Sequence, residues 1–227
     1  MPGRSRKQRV VPELPDLPDE FDPAPDAVES GAVWYGVCAE ASLSIPARVH
    51  DLEMAECVWR DVDASSRRFT GLICRDVLFE RCDLSAAVLD GAALTRVHFL
   101  DCRLTGVALS GTELNDVVLE GGAVSLANFR ASTASLLHIR DTSMKGADFY
   151  DARLRECAFL DCDVSDIDLS GARIEGLSLH GSMLDTVRGA ASLVDAGLRI
   201  DTDQVVPLGL ALVAGLGVTV GARPAES

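Results

Sequence analysis

The sequence repeats with a period of five residues over more than half of its length. Starting at Phe69 and stepping by five, every position up to Leu184 is apolar, which makes 24 positions in one register. Because only 48% of the chain is apolar, chance does not produce such a run. A second column lies two positions earlier in each repeat, from Leu72 to Val187, and its residues are uncharged and mostly small. The acidic and basic side chains of this region fall at the three remaining positions.

A period of five fits neither an α-helix, with its period of 3.6, nor a flat strand, with its period of two. It predicts a chain that turns a corner every five residues and points one large and one small side chain inward on each face. Four faces close one turn of about 20 residues, and the turns stack as in other solenoids. The repeats give six turns and residues 49–68 a seventh, so we expect a rod roughly 34 Å long at about 4.8 Å per turn. Glycines concentrate at the last repeat position, where we interpret them as corner residues.

Three short stretches carry a family resemblance. Residues 127–129, 147–149 and 82–84 read Ala-Asn-Phe, Ala-Asp-Phe and Cys-Asp-Leu. They resemble the repeating unit of the pentapeptide-repeat family, A-[D/N]-[L/F]-x-x. The resemblance implies an all-β solenoid, a right-handed quadrilateral β-helix of stacked pentapeptide repeats with a short C-terminal capping helix.

Proline and charge divide the chain into three segments. Six of the nine prolines lie in the first 25 residues and none lies within 47–206, which suits an uninterrupted sheet-like core because proline cannot donate to a ladder. Residues 11–29 contain seven acids and no base. We therefore predict a disordered tail over 1–31, basic and then acidic and proline-rich, a repeat coil over 32–189, and a cap with a possible dimerisation segment over 190–227.

The C-terminal stretch 198–220 is similar to the tail of pentapeptide proteins that protect DNA gyrase from quinolones. In those relatives a terminal helix caps the last coil and forms a two-fold dimer. Here Thr202 is the predicted N-cap, and Pro207 is compatible with a first helical turn. An open coil end exposes apolar side chains and unpaired edges, so a cap is required, whether it dimerises or covers a monomer. The residues predicted for this cap or homodimer contact are Leu208, Leu210, Leu212, Val213 and Leu216.

No catalytic, cofactor-binding or metal-binding constellation is visible in the sequence. In the repeat arrangement His98 and His138 project outward about 10 Å apart, too far to share a metal ion, and we predict solvated surface histidines. The seven cysteines form no CxxC motif, and five of them fall in the small inward column, where they act as packing residues. We therefore predict a protein that is not an enzyme and needs no cofactor.

The net charge is −14, from 35 acidic and 21 basic side chains. This balance disfavours direct binding of nucleic acid, whose phosphates attract Lys and Arg. The longest uncharged run near the C-terminus, 205–220, is shorter than the roughly 20 apolar residues of a membrane span and contains a proline. A soluble, cytoplasmic protein without membrane contact is predicted.

The face of the coil around Phe79, Phe99 and Phe159 has a net charge of about −3. Gyrase-directed members of the family are understood as mimics of duplex DNA. The resemblance therefore implies a non-enzymatic DNA mimic that binds a type II topoisomerase, DNA gyrase, and protects against or modulates gyrase-targeting drugs. The alternative is a structural or protein-interaction scaffold with an unknown partner, whose acids keep a long solenoid soluble and whose Arg-rich neighbouring face binds another protein. The predicted partner-binding residues are Glu80, Asp101, Glu120, Asp141 and Asp161.

Overall fold

The structure is a computed structural model that describes residues 9–215. The chain forms a β-solenoid of about eight turns with one short C-terminal helix, so the predicted fold is confirmed. The strands are β1 (Asp22–Pro23), β2 (Val33–Tyr35), β3 (Val37–Ala39), β4 (Arg48–His50), β5 (Glu53–Arg60), β6 (Arg68–Thr70), β7 (Ile73–Glu80), β8 (Ala93–Leu100), β9 (Glu113–Glu120), β10 (Thr133–Arg140), β11 (Arg153–Leu160), β12 (Ile167–Asp168), β13 (Arg173–Ser178), β14 (Val187–Arg188) and β15 (Leu198–Arg199). Two 3-10 turns, Ala190–Leu193 and Thr202–Gln204, precede the helix α1 (Val205–Gly215).

Successive turns pair in parallel, and each residue meets its counterpart four repeats further along the chain. In the long strands, for example, Leu94 of β8 pairs with Cys74 of β7 and with Leu114 of β9. Each long strand covers two faces of the coil, because one residue in its middle, such as Arg96 with φ 50°, has a left-handed backbone and bends the strand. The other two faces are held by shorter strands and single parallel bridges such as Asp83 to Arg103.

Both inward columns fill the interior as predicted. Every member of the large column is buried, and none is more than 8% exposed. Identical side chains stack from turn to turn, as in the parallel rings of Phe79 and Phe99, whose centroids are 4.8 Å apart. In the small column, polar side chains donate to carbonyl groups of the previous turn: Cys102 Sγ lies 3.3 Å from the Phe79 carbonyl oxygen, and Ser182 Oγ lies 2.9 Å from that of Phe159. The interior is therefore mainly apolar, and Cys102 and Ser182 are hydrogen-bonded within it, whereas Ser132 Oγ is buried without a partner in the described residues.

The corners use the left-handed backbone region throughout the regular coil. The nine glycines at the last repeat position all have positive φ, which confirms them as corner residues. Aspartate occupies the same corner position many times, as at Asp101, Asp141 and Asp161, with φ between 53° and 55°. Gly and Asp tolerate this region better than most residues, and branched residues tolerate it worst.

The two ends of the coil depart from the regular repeat. At the start Asp22 pairs with Val37, only three repeats further on, so the first turn is short by one repeat. At the end Leu177 pairs with Leu198, one position beyond the partner that the regular repeat would give it. Residue 28 is buried in the core and lies before the predicted start of the coil at residue 32. In the described part of the chain, no helix has the length and apolar character needed to cross a membrane.

Candidate functional site

The five predicted partner-binding acids lie in two neighbouring columns along one edge of the rod, which we name the acidic edge. Glu80 and Glu120 are the last residues of β7 and β9. Asp101, Asp141 and Asp161 are at the corners that directly follow the strands of the same face. The strand-end column is Arg60, Glu80, Leu100, Glu120, Arg140, Leu160 and His180, and the corner column is Asp61, Arg81, Asp101, Gly121, Asp141, Asp161 and Gly181.

Basic neighbours compensate the acids of the strand-end column. Arg60 Nε lies 3.1 Å from Glu80 Oε2, and Arg81 pairs with the other oxygen of Glu80. Glu120 accepts a hydrogen bond from Arg140 Nη2 at 2.6 Å, and this bond lowers the pKa of the Glu120 carboxyl. The pairs with Arg60 and Arg140 each connect adjacent turns. Each of these two glutamates therefore links adjacent turns, and an arginine compensates its charge.

In the corner column, most of the aspartates have no basic partner among the residues that the structure describes. Asp61 accepts two hydrogen bonds from Arg81, each 2.9 Å long, which lower its pKa. Asp101, Asp141 and Asp161 are exposed, and within residues 9–215 they form no ion pair. The free negative charge of the acidic edge is thus concentrated on these three corner aspartates.

A strip of outward-pointing residues beside the acidic edge is covered, contrary to the expectation of solvated histidines. Val58 and Val118 point outward in the repeat, yet they are 1% and 3% exposed. The His98 side chain is 12% exposed, and its Nε2 lies 3.1 Å from Glu120 Oε2. Burial lowers the pKa of His98 more strongly than Glu120 raises it. Burial also lowers the pKa of His138, whose Nε2 is buried without a hydrogen-bond partner in the described part of the chain.

Residues 9–21 lie along the outside of the coil on this face, and we name this segment the arm. The Glu13 backbone N–H donates to Asp116 Oδ1 at 3.1 Å, and the Asp16 N–H donates to Asp76 Oδ1 at the same distance. Arg9 forms ion pairs with both Asp116 and Glu13. The sequence predicts a disordered tail over 1–31, whereas the structure places the described part of that range against the coil. The composition of the segment does not predict this contact, because the carboxylates that bind the arm belong to distant parts of the chain.

The Arg-rich face contains a small basic patch on β11 and β13. Arg153 and Arg173 pair in register on adjacent strands, and Arg155 Nη2 donates to Ser135 Oγ at 2.8 Å. Arg199, by contrast, reaches Glu156 Oε2 at 3.0 Å. In the described range Arg153, Arg155 and Arg173 form no ion pair, so their charge is available to a partner.

The described residues hold no cluster of His, Cys, Asp and Glu that fits a metal ion. The seven cysteines are free thiols, and six of them are buried. Burial raises the pKa of Cys157 and of Cys162 to about 11, which keeps both as unreactive thiols at neutral pH.

The C-terminal segment covers the end of the coil. Leu208 is buried, Leu212 packs against the core, and Leu210 is 55% exposed. Val213 is half-buried, and the predicted contact residue Leu216 lies outside the described residues. These positions fit a cap that keeps part of its apolar surface open.

A polar side chain completes this end of the rod. Gln204 Nε2 donates to the carbonyl oxygens of Leu179 and Ser182, at 2.6 and 2.5 Å, in the last turn of the coil. The predicted N-cap Thr202 is wrong by one residue. Asp201 stands at the N-cap, and its N–H donates to Gln204 Oε1 at 2.7 Å.

A comparison with protein families matches the description "Pentapeptide repeats" at residues 68–121 and 147–185, in eight copies. Residues 68–121 and 147–185 therefore contain pentapeptide repeats, as the resemblance in the sequence predicted. The matched ranges include Glu80, Asp101, Glu120 and Asp161 of the acidic edge, and Asp141 lies between them. No curated protein is similar to this chain in sequence.

Solved structures similar to this chain include the following three. Full-length QnrB1, a plasmid-mediated fluoroquinolone resistance protein, is 12% identical with a TM-score of 0.38, and the match covers 85% of this chain and 100% of that one. HetL, a pentapeptide repeat protein involved in regulating heterocyst differentiation in the cyanobacterium Nostoc, is 16% identical with a TM-score of 0.43, over 81% of this chain and 86% of that one. A pentapeptide repeat protein from the thylakoid lumen of Arabidopsis thaliana is 19% identical with a TM-score of 0.24, over 43% and 64%.

Proposed function

We propose that this chain is a non-enzymatic DNA mimic that binds a type II topoisomerase, DNA gyrase, and modulates the action of gyrase-targeting drugs. The observation that carries the proposal is the row of uncompensated corner aspartates, Asp101, Asp141 and Asp161, on the acidic edge of a stiff rod. A gyrase saddle that accepts duplex DNA offers basic groups to such a row. Binding to gyrase makes the cytoplasm the site of action.

The closeness of the mimicry depends on how the spacing of the corner aspartates compares with the spacing of the phosphates in DNA. B-DNA carries one charge per about 1.7 Å of its axis. Successive corners of the rod are about 4.8 Å apart, and the Gly121 corner interrupts the row. The rod therefore replaces only part of the phosphate charge of DNA. We expect its affinity for gyrase to fall with added salt, but less steeply than the affinity of DNA does.

Supercoiling assays with purified gyrase, with and without a quinolone, test the proposal. The full chain is expected to inhibit supercoiling or to relieve quinolone inhibition at micromolar concentration. The double variant Asp141→Asn with Asp161→Asn removes two charges and keeps residues that tolerate the left-handed corner, so it is expected to lose most of the effect. Asp51→Asn with Asp151→Asn changes the same residue type at another corner column and serves as the matched control. No effect of the full chain at tens of micromolar overturns the proposal.

A second candidate, a protein-interaction scaffold without topoisomerase activity, is favoured by the basic patch at Arg153, Arg155 and Arg173. Three guanidinium groups without acidic partners in the described range suit an acidic surface of another protein. Replacing Arg153 and Arg155 by Gln separates the candidates. A scaffold loses its partner in a cross-linking experiment with this variant, whereas a gyrase mimic keeps its effect on supercoiling.

The proposal includes a homodimer formed through the C-terminal segment. Val206 and Leu210 of α1 are 69% and 55% exposed, while Leu208 is buried against the coil. A helix that caps with one side and exposes apolar residues on another offers a surface for a second copy. Pairing of two caps would extend the rod and double the number of acidic edges offered to a two-fold symmetric enzyme.

A further inference from the structure

The arm has a three-residue period of its own, unrelated to the period of five in the coil. Prolines stand at positions 12, 15 and 18, and the residues between them read Glu-Leu and Asp-Leu. Residues 12–18 form neither helix nor strand. Proline at every third position favours the left-handed polyproline II helix, which has three residues per turn. All three prolines are half-buried, whereas Glu13 and Asp16 are exposed, so the proline edge of this segment faces the coil.

The pitch of such a helix matches the spacing of the coil. Three residues of polyproline II advance about 9.3 Å, and two turns of the coil advance about 9.6 Å. Asp116 and Asp76 lie two turns apart, and they accept the N–H groups of Glu13 and Asp16, which are one polyproline turn apart. Each donor directly follows a proline. The coil therefore presents acceptors at the interval at which a proline-rich strand presents donors.

The coil itself also holds one of the two acceptor carboxylates, that of Asp76. Arg96, on the turn between them, donates from Nε and Nη2 to the two oxygens of Asp76, both at 2.5 Å. The Asp76 side chain is 7% exposed, and that of Asp116 is 13% exposed. With the arm in place both carboxylates are shielded from solvent, and two acceptors at a set distance select a ligand by the spacing of its backbone donors. Asp116 also pairs with Arg9, so a basic residue four positions before the first bonded N–H adds charge recognition.

The surface of the coil beside these carboxylates is suited to contact with proline. It consists of the outward strip that contains Val58, His98, Val118 and His138. The two valines are almost fully buried, and the backbone of Val10 lies beside the His138 ring. Rings and branched apolar side chains are the surface on which proline-rich segments dock in other domains.

We propose that the strip between Val58 and His138, with Asp76 and Asp116 as its acceptors, is a binding site for extended proline-rich segments, which the arm fills in cis. The partner is a protein segment with proline at every third position and a basic residue three positions before the first proline. A tethered arm acts at an effective concentration of about 1 mM, so an external segment binds only when the arm is weakened or removed. This site is separate from the acidic edge and does not depend on gyrase binding.

Fluorescence anisotropy with a labelled peptide of residues 9–21 tests the site. The receptor is the full chain with Pro12, Pro15 and Pro18 replaced by Gly, which frees the site while the coil sequence stays unchanged. We expect this receptor to bind the peptide and the unmodified chain to bind it at least about tenfold more weakly. A peptide with the three prolines replaced by Ala is the ligand control. Absence of binding to the receptor at several hundred micromolar peptide overturns the proposal.

Asp116→Gly in the same receptor removes an acceptor without straining the corner, since φ is 56° there. It is expected to weaken peptide binding about tenfold, as loss of a charge-assisted contact does. Asp141→Gly makes the same change on the acidic edge and should leave binding unaltered. Equal binding by both variants contradicts the assigned site.

Hydrogen exchange on the otherwise unmodified chain gives a readout that needs no arm variant. The amides of Glu13 and Asp16 should be protected, and Asp116→Gly should release the protection of Glu13. Unprotected amides in the unmodified chain overturn the docked arm itself.

Discussion

At the residue scale, the corners explain why this sequence is rich in aspartate as well as glycine. Every regular corner places one residue at positive φ, and Asp141, with φ 55°, is typical. The left-handed region costs an ordinary L-residue roughly 1–2 kcal/mol, and Gly, Asn and Asp much less. The charge of the acidic edge is therefore tied to the backbone: the residues that the corners tolerate are also residues that display a carboxylate.

Asp141 offers a direct measure of this constraint. Asp141→Gly should leave the free energy of unfolding unchanged within about 0.5 kcal/mol, because Gly adopts this φ freely. Asp141→Val should lower it by about 1–2 kcal/mol, because a branched Cβ is strained there. Urea unfolding followed by circular dichroism gives both values. Equal stability of the two variants would show that corner strain does not limit this fold.

The two covered histidines predict a pH dependence of stability. Burial lowers the pKa of His98 and of His138, so the unfolded chain takes up protons first as pH falls below about 6.5. The free energy of unfolding should therefore fall between pH 7.5 and pH 5.5, before the carboxylates begin to titrate. Thermal melts at these two pH values measure the loss.

Variants assign that loss to the covered histidines. Replacing His98 and His138 by Asn should reduce the difference between the melts at the two pH values. The same difference in the double variant would place its origin elsewhere in the chain.

At the element scale, each strand is stabilised mainly by stacking on the strands above and below it. Phe99 of β8 stacks on Phe79 of β7, and both are 3% exposed. Several outward residues of the same strands, such as Asp76 and Arg96, make ion pairs between turns. A substitution at an inward position therefore disturbs the packing of three turns, while a substitution at an outward position affects one surface contact.

Phe99→Asp should unfold the rod, because an unpaired charge in an apolar interior costs several kcal/mol. Leu109→Ala, which leaves a cavity and no charge, should lower the free energy of unfolding by about 2–5 kcal/mol. Thr95→Asp is the control, since Thr95 points outward on β8 next to Arg75 of β7. Calorimetric melting of the three variants tests the order. A native melting profile for Phe99→Asp would show that the inward assignment is mistaken.

At the scale of the whole molecule, a solenoid must close both of its ends. The C-terminal end is covered by the segment that contains Gln204 and Leu208. At the N-terminal end the coil begins with a short turn. The arm precedes this turn in the chain and lies along the outside of the coil. The rod is therefore stabilised by the stacking of its turns, by the C-terminal cap and by the arm along one side.

The exposed apolar residues of the cap predict an oligomer. Leu210→Glu should shift the chain from dimer to monomer in light scattering at micromolar concentration, because it places a charge in the proposed contact. Val33→Glu changes a residue that is 71% exposed at the opposite end of the rod, and it should leave the mass unchanged. A monomeric unmodified chain would rule out the dimer and leave a simple cap.

The interior of this protein is determined by its sequence because it is periodic. A step of five residues locates every inward side chain from Phe69 to Leu184, and burial follows it without exception. The corner role of glycine follows from the same count. Local rules suffice here, since each repeat meets an almost identical neighbour one turn away.

The surface was decided by tertiary structure. Glu80 and Glu120 look like free acids in the sequence, but arginines one turn away compensate them, so Asp101, Asp141 and Asp161 hold most of the free charge. The arm looks disordered by composition, but two carboxylates on turns far along the chain hold its backbone. Whether a surface group is free, paired or covered depends on contacts between segments that no repeat relates, and folding alone brings those segments together.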